Sequence, residues 1–253
     1  MSPLSIVILI VILVLIFILI KYVLSDPYTL QNIQNGTVAS TINATSLATN
    51  GTSVPSSNFA YSIWFYVNNW NYRYGEPKVI FGRMGSMSSQ GSGSVSGVSG
   101  LDPCPAVVLG AVENNIAVSL GCYPGIDQEP TTPGGTTVVK TCSVANIPIQ
   151  KWVNLIVNVY GRSMDIYIDG KLVRTCLLPG VASVNNDANI YVTPNGGFEG
   201  WTAKFQYYPN SINPQEAWNI YTQGYSSWLS MFNAYQLQIS LVENGNTQGS
   251  ITI

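Results

Sequence analysis

The sequence predicts an all-β fold, an antiparallel β-sandwich of jelly-roll type with one short helix, behind a single N-terminal transmembrane helix. Three observations predict it. Many short runs alternate apolar and polar side chains with period two. Pro, Gly, Asn and Asp turn signals separate those runs at regular intervals. Only one stretch of the body carries the residues that start a helix.

From Leu4 to Leu24 the chain is almost wholly apolar, and Ile6 to Ile20 contains no polar residue. At about 1.5 Å per residue, some 20 helical residues span roughly 30 Å, the thickness of a bilayer's hydrocarbon core. Residues 1–24 are therefore expected to be a retained single-pass anchor, with Lys21 snorkelling toward the head groups beside Tyr22. The other reading is a cleaved signal peptide, for which Val23-Leu24-Ser25 offers a small-residue cleavage pattern. The length of the apolar core and the lack of Lys or Arg before it oppose that reading. Lys21, on the carboxy-terminal side, points to a cytoplasmic body under the positive-inside rule.

Residues 25–58 are rich in Ser, Thr, Asn and Gly and are expected to be a polar linker between anchor and body. They hold three N-glycosylation sequons, Asn35-Gly36-Thr37, Asn43-Ala44-Thr45 and Asn50-Gly51-Thr52. In a lumenal or extracellular compartment these would make a glycosylated stalk. A solvated linker in which chance generates the pattern is the plainer reading.

The body is expected to occupy residues 59–253. In its first strand Phe59, Tyr61, Ile63, Phe65 and Val67 alternate with Ala60, Ser62, Trp64 and Tyr66. Both faces are largely apolar, so the strand belongs in the middle of a sheet. Lys78 to Arg83 reads as the next strand. Gly85 to Gly100 is a low-complexity loop that buries too little to offset its ordering entropy, and it is expected to be mobile. Ala106 to Leu109, Ile116 to Leu120 and Thr136 to Lys140 follow as short strands.

Lys151 to Thr175 reads as a three-strand meander. Val153, Leu155, Val157 and Val159 share one face, Gly161 to Ser163 turn the chain, and Met164, Ile166 and Ile168 alternate with Asp165, Tyr167 and Asp169. Asp169-Gly170 is a two-residue hairpin turn, because both central positions need positive φ, and Lys171 to Thr175 returns. Ile190 to Val192 and Trp201 to Tyr207 continue the series. Asn213, Pro214 and Glu216 supply a cap, a first-turn proline and a capping-box glutamate for a helix that runs to about Thr222 and stops at Gly224. Tyr235, Leu237, Ile239 and Leu241 alternate, Asn244-Gly245 turns, and Ser250 to Ile253 closes a terminal hairpin.

Two segments carry a family resemblance. Trp152 opening a strand, a polar turn and then IYIDGKLV, Ile166 to Val173, resembles the core of the concanavalin A-like lectin/glucanase superfamily in its laminin-G-like branch. GFEGWTAKFQYYPNSINPQEAWNIY, Gly197 to Tyr221, is similar to the closing motif of such domains. Related domains occur in membrane and virion proteins of large DNA viruses, and the layout here is similar to theirs. The resemblance implies a minor capsid or virion membrane protein that holds an internal membrane against a shell, its body facing the capsid.

The residues limit the chemistry. Charged residues make up 9% of the chain and the net charge is −2, so there is no electrostatic footprint for nucleic acid. Histidine is absent, which excludes Ser-His-Asp and Cys-His catalysis and removes a common metal ligand. Glycoside hydrolysis would need two placed carboxylates. The superfamily's Glu-x-Asp-x-x-Glu string is missing, Asp127 and Glu129 fall in a Pro/Gly loop, and Asp165 and Asp169 belong to the hairpin. Asp102, Asp127 and Asp187 lack calcium-loop spacing. No cofactor is expected and the body is read as non-enzymatic.

Trp70, Tyr72 and Tyr74, beside Asn68, Asn69 and Arg73, form the candidate ligand or partner surface: either a sugar platform, or side chains that pack against the fold or another protein. Cys104, Cys122, Cys142 and Cys176 permit two disulfides in three pairings, or four buried thiols in a reducing compartment. Cys104 and Cys122 flank an expected hairpin and are the favoured pair. The expected partners are a lipid membrane through residues 4–24 and a protein layer such as a capsid. The rival is a cell-surface lectin-like module that binds carbohydrate.

Overall fold

A computed structural model of the chain describes residues 11–19, 26–47, 57–84, 86–87, 98–99, 102–131, 134–226, 238–243 and 246–252. The chain divides into two compact units, one of residues Thr29–Tyr225 and one of Met1–Tyr28 with Ser226–Ile253.

The larger unit is a two-sheet antiparallel sandwich. It begins with β1 (Thr29–Gln31), β2 (Gln34–Asn35) and β3 (Ser40–Ile42), then a 3-10 turn over Ala44–Leu47. The long strand β4 (Phe59–Asn69) and β5 (Lys78–Arg83) follow, then two short pieces, β6 (Ser86–Met87) and β7 (Val98–Ser99), that pair with each other. Next come β8 (Ala106–Leu109), β9 (Asn115–Cys122) and β10 (Val138–Ala145). The meander is β11 (Trp152–Tyr160), β12 (Ser163–Ile168) and β13 (Lys171–Leu177). β14 (Ile190–Val192), β15 (Glu199–Tyr208) and helix α1 (Pro214–Thr222) complete the unit.

One sheet has the order β1-β15-β4-β11-β12-β13, with β2 also paired to β15; the other runs β10-β9-β8-β5-β14-β3. β4 lies between β15 and β11, the interior position its two apolar faces demand. Its inward residues Phe59, Tyr61, Ile63, Phe65 and Val67 meet Val153, Leu155, Val157 and Val159 of β11 in one core. Ile80, Phe81, Val107, Leu109, Val118 and Leu120 supply the opposing sheet's part of that core. Phe81 anchors the centre, 4.7 Å from the Phe205 ring and 5.5 Å from that of Tyr61. Truncating one such ring would cost about 3–5 kcal/mol through lost transfer and a residual cavity.

α1 starts where its capping box predicts. The Asn213 side chain accepts from the Glu216 amide at 2.9 Å, and the Glu216 carboxylate accepts from the Asn213 amide at 2.7 Å. Its buried Ala217 and Ile220 pack on Ile156 and Tyr167 of the β4-containing sheet, on the face turned away from the core. Asn158 fixes the approach: its carboxamide donates to the Ile212 carbonyl at 3.1 Å and accepts from the Ile212 amide at 2.9 Å.

A disulfide joins Cys142 on β10 to Cys176 on β13. Both strands are sheet edges on the described topology, so the bond ties the two sheets together along one open side. Arg174 reinforces it by donating to the Ser143 carbonyl at 2.8 Å. The favoured Cys104–Cys122 pairing is not formed, and both residues are buried free thiols.

The expected boundaries also change. Residues 29–47, read as part of a linker over 25–58, belong to the sandwich: β1 and β2 pair with β15, β3 pairs with β14, and Ile42 and Leu47 are buried in the core. Backbone pairing at sheet edges does this without any amphipathic period. The terminal hairpin forms between Gln238–Glu243 and Asn246–Thr252; among the described residues its two strands pair with each other, and it falls in the other unit and not in the sandwich.

Residues 11–19 are helical, and among the described residues no helix is long and apolar enough to cross a membrane. The rest of the Leu4–Leu24 stretch, and most of the Gly85–Gly100 loop, lie outside the described residues.

Candidate functional site

The outward side of β4 carries Ala60, Ser62, Trp64 and Tyr66, and strand register decides what stands beside them. Tyr66 is directly opposite Trp152 of β11 on one side and Trp201 of β15 on the other. Trp201 in turn is directly opposite Asn35 of β2. Directly opposed residues share a face. Asn35, Trp201, Tyr66 and Trp152 thus form one row across four strands, about 14 Å long at roughly 4.8 Å per strand.

Glycine makes the approach of β15 to β4 feasible. A Cβ on Gly200 would lie 1.8 Å from the Tyr66 carbonyl oxygen, so any larger residue beside Trp201 would push the strands apart.

The rings support one another. Tyr66 and Trp152 have centroids 5.8 Å apart, and Trp152 stacks on Tyr225 at 4.3 Å with 14° between planes. Trp64, one step along β4, is buried beneath Tyr221 at 5.7 Å and Tyr225 at 5.9 Å. Trp201 keeps 45% of its surface exposed and Tyr225 keeps 38%, while Tyr66 and Trp152 are half-buried. The row is therefore a braced aromatic floor whose open ring surface is that of Trp201 at one end and of Tyr225, stacked on Trp152, at the other.

Polar groups flank it. One step outward along β4, Asn68 donates to Glu199 at 2.9 Å and Asn69 donates to the other oxygen of that carboxylate at 3.1 Å. Gln150, just before Trp152, donates to the Asn68 carbonyl at 3.4 Å. The nearby cations are engaged: Lys151 pairs with Asp169 at 3.1 Å, and Lys204 donates to Gln223 at 2.9 Å. Flat apolar rings edged by amides and a carboxylate suit a ligand with one apolar face and a rim of hydroxyls.

The residues singled out from sequence have other surroundings. Trp70 packs against the edge of the core and donates its indole N–H to the Val112 carbonyl at 3.3 Å. The Lys78 amine sits 5.1 Å from the Trp70 ring centroid. That amine is buried with no hydrogen-bond partner among the described residues, and burial, then Arg73, lowers its pKa. Arg73 bonds to Glu76 at 2.6 Å and also donates to the Asn195 carbonyl, which braces the loop. Tyr72 is half-buried, and Tyr74 is exposed. Packing, the second reading of Trp70, describes its role here.

The candidate acids sit on strands or in turns. Asp165 accepts from Thr175 at 2.6 Å, Asp169 accepts from the Asn154 amide at 3.0 Å, and Asp127 takes a turn conformation with φ 65°. Asp102 holds Thr137 at 2.6 Å. Among the described residues no group of three His, Cys, Asp or Glu side chains is placed to hold a metal ion. Asn35 and Asn43 are exposed, and Asn50 lies outside the described residues.

Fold and geometry together define an all-β two-sheet antiparallel sandwich with a row of aromatic side chains on one outer face. No family model and no curated protein sequence matches the chain. Solved structures do. The ligand binding domain of botulinum neurotoxin serotype D, in complex with N-acetylneuraminic acid, is similar over 76% of this chain and 42% of that one, with 13% identity and a TM-score of 0.51. The receptor binding domain of botulinum neurotoxin D is similar over 78% and 46%, with 14% identity and a TM-score of 0.51. The chain spans less than half the length of these solved chains, and at such identity the likeness is one of fold.

Proposed function

We propose that the sandwich is a non-catalytic carbohydrate-binding module and that the outer-face row of Trp201, Tyr66 and Trp152 is its sugar platform. The observation that carries this reading is the register that sets three aromatics side by side across β15, β4 and β11. Pyranose rings have an apolar C–H face, and burying it on indole and phenol removes both surfaces from water. Asn68, Asn69, Gln150 and Glu199 offer partners for the hydroxyls. A similar sandwich solved with N-acetylneuraminic acid supports a sugar as ligand. A neutral ligand is preferred here, because the Glu199 carboxylate at the rim is bonded by the Asn68 and Asn69 amides and would repel an acidic sugar.

The setting proposed is a membrane surface, with Leu4 to Leu24 as the anchor and the body on the oxidising side. The Cys142–Cys176 bond supports that side, since disulfides persist outside the reducing cytosol, and it outweighs the single basic residue Lys21. A second reading, a tether to a protein layer such as a viral capsid, is favoured by one observation. Edge strand β13 exposes Leu172, Val173 and Leu177, an apolar strip at an edge that no further strand pairs among the described residues. A glycan array with protein made without N-glycans separates the two. Binding to neutral oligosaccharides that is lost in W152A supports the lectin-like module. An array without signal, together with cross-links from β13 to a coat protein, supports the tether.

A further inference from the structure

The aromatic row does not end at Trp201. Its fourth member is Asn35, the asparagine of an Asn-Gly-Thr sequon, set on the same face and directly opposite Trp201. Asn35 is exposed. Its side-chain oxygen is held by the Thr37 amide at 2.9 Å and the Thr37 hydroxyl at 2.8 Å, while no hydrogen bond engages its nitrogen among the described residues. Substitution on that nitrogen would therefore leave the local turn intact.

We infer that Asn35 is an N-glycosylation site whose own glycan lies over Trp201 and caps the aromatic row, so that the chain carries a tethered competitor for its sugar platform. The inference rests on the reading of the row as a sugar platform. In the transfer, the Asn35 amide nitrogen bonds to the anomeric carbon of a lipid-pyrophosphate-linked oligosaccharide. The lipid pyrophosphate leaves, and the nitrogen gives up one proton. The first sugar then starts one strand spacing from Trp201, roughly 5 Å away, within reach of the exposed indole. Tethering replaces a bimolecular encounter with an intramolecular one at an effective concentration in the millimolar range, enough for a weak stacking contact to outcompete free sugar. Asn43 provides an internal control. It is also an exposed sequon asparagine, but it follows β3, on the edge of the opposite sheet.

The test is to express the full chain in a eukaryotic secretory host, map glycan occupancy by mass spectrometry, and compare it before and after enzymatic glycan release from the folded protein. Expected are occupancy at Asn35, a rise in neutral-glycan binding of roughly tenfold or more on release, and a shift in tryptophan fluorescence. T37A should reproduce the released state, and T45A should not. An unoccupied Asn35, or release that changes neither binding nor fluorescence, overturns the inference and leaves the sugar platform standing. If release shifts the fluorescence but the glycan-free protein binds no sugar, the cap stands and the receptor reading falls.

Discussion

Tyr225 lies flat on Trp152, with 4.3 Å between ring centroids and 14° between their planes. Trp152 opens β11 at a sheet position, whereas Tyr225 follows the end of α1, so the helix sets the orientation of the floor. Aromatic pairs of this kind contribute about 0.5–1.5 kcal/mol beyond their buried area. Y225A is expected to lower stability by about 1 kcal/mol and to weaken sugar binding more than that loss explains, because Trp152 is no longer held. Urea unfolding together with glycan titration checks both halves.

Capping should act on the site from a distance. N213A removes the Asn213 acceptor and breaks the reciprocal pair with Glu216. The expected loss is about 1 kcal/mol, a Tm lower by roughly 2–4 °C for a unit of this size. Scanning calorimetry reads it directly, and N213D, which keeps the acceptor, should recover most of it.

The Cys142–Cys176 bond closes a loop with a sequence separation of 34. Loop-entropy arguments assign such a closure about 4 kcal/mol, so C142A with C176A should unfold at markedly lower urea concentration. Cys104 and Cys122 should behave differently. Burial pushes each thiol up to about 11, which keeps both protonated and inert near neutrality. At pH 8 the native protein should resist alkylation, and unfolding under non-reducing conditions should expose two reactive thiols and no more.

Lys78 should cost stability at neutral pH. Its pKa is lowered in the fold, chiefly by burial, so the unfolded chain binds the proton more tightly. Stability from this group therefore rises as pH climbs from the lowered folded value toward the ordinary lysine value, and is lost below that window. K78M should raise Tm by roughly 2–4 °C near pH 7, about 1 kcal/mol net of the lost cation–π contact with Trp70. The gap between K78M and wild type should narrow above pH 10.

Much of the fold was legible because strand period and turn chemistry are local. The alternation in Phe59 to Val67, the Asp169-Gly170 turn and the Asn213-Pro214-Glu216 cap each state their structure within a few residues. The site was less so. Alternation places Tyr66 and Trp152 on outward faces, but their adjacency, and that of Trp201 and Asn35, depends on register between distant strands. The short strands β1, β2 and β3 gave no signal, since edge pairing uses backbone groups and tolerates polar sequence. The disulfide was hidden for a similar reason: spacing allows three pairings, and only the meeting of two sheet edges selects Cys142 with Cys176. Trp70, Tyr72 and Tyr74 drew notice through their density in sequence, yet Trp70 is turned in toward the core edge.

Calorimetric titration of the glycan-free protein with a neutral oligosaccharide, compared across wild type, W201A and Y74A, tests the outer-face platform most directly. The account predicts measurable binding for wild type and Y74A and a loss of at least tenfold for W201A, with all three folded by circular dichroism. Equal affinity in W201A and wild type, or loss in Y74A alone, would contradict it.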